Sequence, residues 1–165
     1  MRVAHSNLVS FLISEETFEA TRTEALGVLN ATRSIVSDES RFAWLYQNNP
    51  DGGAILWVAR TQSNGNMVGI AAALPRRILV DGAVRRCWNC ADLSVLPEFR
   101  RHGLATALRA ACKREVDAGR VDGLYVHPND RAAGAHAKAG HIPIGRMVRY
   151  AKILRTEPYV REKLP

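Results

Sequence analysis

Apolar residues change their spacing along the chain, and the changes mark out its elements. A run from Leu8 to Ile13 reads as a first strand, and Ser14-Glu15-Glu16-Thr17 after it forms a loose helix-start box with Thr where Glu is preferred. Phe18, Thr21, Ala25, Val28 and Leu29 then recur at helical intervals through about Ala31. A second helical segment carries Phe42, Leu45 and Tyr46 and stops at Asn48-Asn49-Pro50, because proline lacks the amide a helix needs. Asp51-Gly52-Gly53 is a turn.

From Ala54 the pattern becomes that of short strands. Ile55 to Arg60 and Met67 to Leu74 flank Ser63-Asn64-Gly65-Asn66, and Arg77 to Val80 and Val84 to Cys90 flank Asp81-Gly82; Asn-Gly and Asp-Gly are hairpin signals. This antiparallel meander leads into a strand at Leu93 to Val95. Helical spacing returns from Gly103 to Ala118, with Leu104, Ala107, Leu108, Ala111, Cys112 and Val116 on one face and Gly119 at the stop position. Leu124 to Val126 reads as a buried strand closed by His127-Pro128, Asp130 to Ala139 as a short helix ending at Gly140, and Ile142 to Leu154 as holding at least one further strand, the last at Arg149 to Leu154. The order β-α-α-β-β-β-α-β-α-β describes an α/β fold with a mixed, mostly antiparallel sheet and flanking helices. The 165 residues, 47% hydrophobic, fit one domain over 1–165 with a charged tail at about 155–165. That tail has few apolar residues, so it is expected to be peripheral or to dock on a partner subunit.

The net charge of +7 adds an attraction to polyanions: nucleic acid, an anionic membrane or a phosphorylated cofactor. The basic residues come as short pairs, Arg76-Arg77, Arg85-Arg86 and Arg100-Arg101, without a basic tail or interleaved aromatics, which disfavours nucleic acid. No run approaches the ~20 apolar residues of a membrane span. Three cysteines make no disulfide framework, and no early run has signal-peptide form, so a reducing cytoplasm is the expected setting. Cys87-Trp88-Asn89-Cys90 has redox spacing, but on a strand positions three apart face opposite ways, and buried structural thiols are the better reading. The five histidines show no metal-ligand spacing with these cysteines, and no metal is expected.

The stretch Leu93 to Leu108 carries the most chemistry. An apolar strand stops near Pro97, Arg100, Arg101 and His102 follow, and a helix opens at Gly103. Amides at a helix start have no intrahelical partner, the helix dipole is positive there, and arginine adds fork-shaped donors, so the turn suits phosphate. It is neither a Walker loop nor a dinucleotide fingerprint. The spacing Arg100-x-x-Gly103-x-Ala105, preceded by Val95-x-Pro97, resembles the pyrophosphate loop of the GNAT acetyltransferase superfamily. Asn129-x-x-Ala132-x-x-Ala135-His136-x-Lys138-x-Gly140-His141 is similar to a second segment of that family, and Trp44-Leu45-Tyr46, Asn49-Pro50, Val68-Gly69, Pro75, Gly82, Trp88 and Asp92 resemble a branch of larger members, some with a second domain.

The resemblance implies transfer of an acyl group, most simply acetyl, from acyl-CoA to a primary amine of a small molecule or protein in a ternary complex. It assigns Leu93, Ser94 and Val95 to the pantetheine arm and thioester, Arg100, Arg101, His102, Gly103, Leu104, Ala105 and Thr106 to the pyrophosphate, and Asn129 to the pantetheine side. It assigns amine deprotonation to Asp92, for which a structural carboxylate held by backbone, Arg85 or Arg86 is the competing reading. His136 stands where the family has a tyrosine acid. Imidazole, with an unperturbed pKa of about 6.5, can do acid work near neutral pH, but it can equally be a bystander. A catalytically degenerate acyl-CoA-binding module is therefore the second hypothesis and a basic nucleic-acid-binding domain the third. The acceptor and the oligomeric state stay open, a homodimer being one option.

Overall fold

A computed structural model describes residues 10–33, 38–148 and 150. Five strands form one sheet in the order β1-β2-β3-β4-β5: β1 (Phe11–Glu16), β2 (Ile55–Thr61), β3 (Met67–Val80), β4 (Ala83–Val95) and β5 (Gly123–Tyr125). Neighbours run antiparallel except β4 and β5, which are parallel. The helices are α1 (Phe18–Thr32), α2 (Glu39–Phe42), α3 (Leu104–Asp117) and α4 (Asp130–Lys138). The order matches the sequence expectation through α4, and among the described residues no helix is long and apolar enough to cross a membrane.

The central strands are apolar on both faces, so each face is covered. Leu56, Val58, Ile70 and Ala72 pack under α1, α2 and the π-helical turn Ala43–Gln47, around the aromatic group Phe18, Phe42 and Tyr46. Trp57, Ala59, Val68, Ala71, Ala73 and Trp88 face Leu104, Leu108, Ala111 and Cys112 of α3. Gly69 permits the close approach of α3: a Cβ there would lie 3.3 Å from Leu108 Cδ1.

Several boundaries differ from expectation. The first strand runs to Glu16, so Ser14, Glu15 and Glu16 are paired with β2 and the helix cap is Thr17, which accepts from the Ala20 amide. The segments expected as four strands between Met67 and Val95 are two long ones. Pro75 does not interrupt β3 because β2 ends its pairing at Ala73, leaving the proline nitrogen on an unpaired edge. The second helix is a single turn continued by the π-helical one. No strand occurs at 141–148, where Ile142, Ile144, Met147 and Val148 are exposed. Residues 151–165, including the end of the expected last strand and the tail, lie outside the described residues, as do 1–9.

Candidate active site

β4 pairs with β5 only from Cys87 to Asn89, against Gly123 to Tyr125. Beyond that point the strands part, and a cleft of about 530 Å³ opens between Cys90 to Val95 on one wall and Val126 to Asn129 on the other. The backbone groups on this edge of β4 lose their ladder partners at the place where β4 also bulges. Ile70 pairs with Ser94 and Ala72 with Ala91, so Ala71 faces two residues, Asp92 and Leu93. Asp92 makes the extra step in left-handed conformation, with φ of 47°. Leu93, Ser94 and Val95 all line the cleft.

A second cleft of about 570 Å³ continues from the first around the turn before α3 and shares Val95, Arg100, Ala105 and Ala135 with it. Arg101 and Gly103 turn the chain at φ of 67° and 77°, and α3 starts without a side-chain cap. The first-turn amides of Leu104, Ala105 and Thr106 therefore have no acceptor within the helix, and they line this cleft with Arg100, Arg101 and Lys138. The donor set suits a diphosphate. Arg100 is anchored by its Nε, which donates to the Val95 carbonyl at 3.0 Å. His102 lines neither cleft; its ring lies 6.1 Å from that of Phe11. Asn129 lines the first cleft and caps α4, accepting from the Ala132 amide at 3.0 Å.

Asp92 also lines the first cleft, its side chain only 9% exposed. Arg33 donates to one carboxylate oxygen and Tyr46 OH to the other. Arg85 and Arg86, the partners considered from sequence, lie far down the hairpin, paired with Ile78 and Arg77. Burial, and then the Asp92 charge, push the Tyr46 phenol well above its usual pKa. His136 is on α4 at the far wall, 4% exposed, with Nδ1 unpartnered. Burial first, then the charges of Arg109 and His141, push it down to about 4. Asp92 and His136 thus border one cleft from opposite sides.

Sequence reasoning missed three residues here. Arg33 and Tyr46 grip Asp92 from 59 and 46 residues away. Arg109 of α3 is 1% exposed and lines the first cleft; its Nη2 donates to the Ala91 carbonyl at 2.6 Å and its Nη1 to that of Ala72 at 3.2 Å, beside the bulge. Its signal was a matter of spacing, since Arg109 lies three residues before Cys112 and seven before Val116 and so borders the apolar face of the helix.

Residues 16–141 match the family model described as Acetyltransferase (GNAT) family. The chain belongs to the GNAT acetyltransferase family. Solved structures share this GNAT fold. A Trypanosoma brucei acetyltransferase is 18% identical, with 87% of this chain and 100% of that one covered and a TM-score of 0.66. Glucosamine-6-phosphate N-acetyltransferase from Arabidopsis thaliana is 13% identical, with 88% and 99% covered and a TM-score of 0.63. The acetyltransferase AAC(6')-Iy in complex with the bisubstrate analogue CoA-S-monomethyl-acetylneamine is 19% identical, with 87% and 99% covered and a TM-score of 0.67. Comparison with curated proteins gives no match.

Proposed function

We propose that this GNAT protein moves an acetyl, or another acyl, group from acyl-CoA directly to a primary amine of a small molecule or a protein, in a reducing cytoplasm. The observation that carries the reading is the continuity of the bulged, unpaired edge of β4 with the amide-lined turn of α3, joined through Val95, Arg100 and Ala105. Bound acyl-CoA would supply the activated thioester. The chain supplies the rest: Leu93, Ser94 and Val95 present backbone groups to the pantetheine arm, with Asn129 on the opposite wall. Arg100, Arg101 and the amides of Leu104, Ala105 and Thr106 neutralise the pyrophosphate, and Gly103 lets the turn form. His102 supports that turn from outside, against Phe11.

Asp92 is the proposed proton acceptor for the amine. Arg33 and Tyr46 each occupy one acceptor position, and a carboxylate has about four, so positions remain toward the cleft. His136 is the proposed donor to the leaving thiolate. With a pKa of about 4 it is a neutral imidazole at pH 7, so any proton it delivers comes from an N–H group and must be replaced through the cleft. A second reading, an acyl-CoA-binding module without turnover, draws on the same two facts: Asp92 is already gripped and His136 is uncharged.

The test is calorimetry with acetyl-CoA followed by a screen of amines for CoA release. Acetyl-CoA is expected to bind, and Arg100→Glu to weaken it by about 2 kcal/mol, roughly 30-fold, the size of a lost charge-assisted hydrogen bond. Equal affinity in the variant would remove the phosphate-turn assignment. Tight binding with no amine acylated would leave the second reading.

A further inference from the structure

Behind the bulge, between β4 and α3, lies a group of side chains that acyl transfer as proposed does not use. Cys90 Sγ and Cys112 Sγ are 3.9 Å apart, with the two residues 5% and 0% exposed. Arg109, one helical turn from Cys112, is buried beside them with carbonyl oxygens as its hydrogen-bond acceptors and its Nε unpartnered. A buried guanidinium with no carboxylate partner among the described residues favours negative charge on whatever acidic group stands next to it. That group is the Cys90 thiol. The hydrogen bond from Cys112 and, opposing burial, the Arg109 charge lower its pKa, whereas the bond with Cys90 and burial raise that of Cys112. Cys90 lines the first cleft and Cys112 does not, so Cys90 is the sulfur placed to attack first and Cys112 the thiol held for a second step. The cleft gives a small reagent a way in.

We propose that Cys90 and Cys112 form an oxidation site, at which a hydroperoxide entering through the cleft converts the two thiols into a disulfide tying β4 to α3. The Cys90 thiolate attacks the peroxide; the O–O bond breaks, oxygen is transferred to sulfur, and hydroxide or alkoxide leaves. The Cys112 sulfur then attacks the sulfenic acid, forming the S–S bond and releasing water, with the Cys112 proton taken up by the departing oxygen. Peroxide is reduced by two electrons and the dithiol oxidised by two. The sulfurs must close from 3.9 Å to the bonding distance of about 2.0 Å. Cys87 is the internal control. It is buried, does not line the cleft, and has its pKa raised by burial and then by Asp122.

The experiment treats the reduced full chain with hydrogen peroxide, blocks remaining thiols under denaturing conditions and maps the peptides by mass spectrometry. The expected result is a peptide pair joined through Cys90 and Cys112, reversible by dithiothreitol, with Cys87 still a thiol. In Cys112→Ser, dimedone should label Cys90; in Cys90→Ser, Cys112 and Cys87 should stay reduced at the same dose. Three intact thiols, first oxidation at Cys87, or dimedone on Cys112 would each overturn the proposal, and the wild-type map decides it alone if either variant fails to fold. Saturating acetyl-CoA should slow the reaction on the order of tenfold, the usual size of a coupling between two ligands of one site. This arm rests on the acyl-CoA reading. Bound acetyl-CoA without protection overturns entry through the cleft, whereas failure of acetyl-CoA to bind overturns the acyl-CoA reading and leaves the thiol map to stand or fall separately.

Discussion

Asp92 and Arg109 stand on either side of the same bulge and are accommodated by different means. Asp92 has a guanidinium on one oxygen and a phenol on the other, so its charge is matched before any substrate arrives. Arg109 has backbone carbonyls as its acceptors and no carboxylate among the described residues, so its charge is solvated by dipoles and left unmatched. One wall of the cleft is electrostatically closed, and the other holds positive potential. That potential adds to burial in lowering the pKa values of His136 and His141, adds to the Cys112 hydrogen bond in lowering that of Cys90, and would favour any thiolate formed nearby.

The contrast is broken most severely by removing Arg109. Arg109→Ala strips the donors from the Ala72 and Ala91 carbonyls and leaves a cavity, and should cost about 3 kcal/mol or more in denaturant unfolding. Arg109→Met fills the space without the charge and should cost less, because an unmatched buried charge is itself a burden. If the methionine variant is as damaged as the alanine one, the positive wall is a scaffold and the electrostatic argument fails.

Next comes pH. The folded-state pKa of His136, about 4, lies below the unfolded value of about 6.5, so the unfolded chain binds more protons between them. The stability from this group is complete above pH 6.5 and is lost as pH falls toward 4, by up to about 3 kcal/mol, with His141 acting in the same direction. The lowered pKa values of Glu16 and Glu24 belong to a lower window, below the carboxylates' ordinary value of 4.5. Melting temperatures from pH 7.5 to 5 should therefore fall in the wild type and hold steadier in His136→Phe. A parallel decline would mean that the histidine is not the titrating group.

The matched wall is probed by turnover. Asp92→Asn should lower kcat by about 10²-fold with acetyl-CoA affinity nearly unchanged, since the phosphate turn is untouched. An unchanged rate would make the carboxylate structural. Tyr46→Phe is the smallest perturbation: it removes one hydrogen bond to Asp92 and should cost about 1 kcal/mol in stability. If it instead abolishes turnover while the fold persists, the phenol takes part in proton transfer.

What the sequence disclosed divides along the same line. The turn proposed to hold the pyrophosphate is local, so Arg100, Gly103 and Ala105 could be picked out as candidates from their spacing. Asp92 was legible as a carboxylate in an apolar strand, but Arg33 and Tyr46 were not legible as its partners, because chain separations of 59 and 46 residues are closed only by folding. The Cys87 and Cys90 spacing argued against a bond between those two, yet it could not reveal that Cys90 meets Cys112, which lies across the sheet–helix interface. The expected gap between Leu74 and Arg77 is closed in the fold for a physical reason: proline breaks a strand only where its missing donor is needed, and β2 no longer pairs there.

The left-handed backbone at Asp92 also restricts how this site can change over generations or in a designed library. Asparagine and aspartate tolerate that conformation and glycine adopts it freely, while β-branched residues are strained in it. Exchange with asparagine preserves the bulge and alters only the chemistry. Diversification around this position is therefore steered toward the residues that surround the carboxylate, while the carboxylate itself can be kept or lost but not relocated.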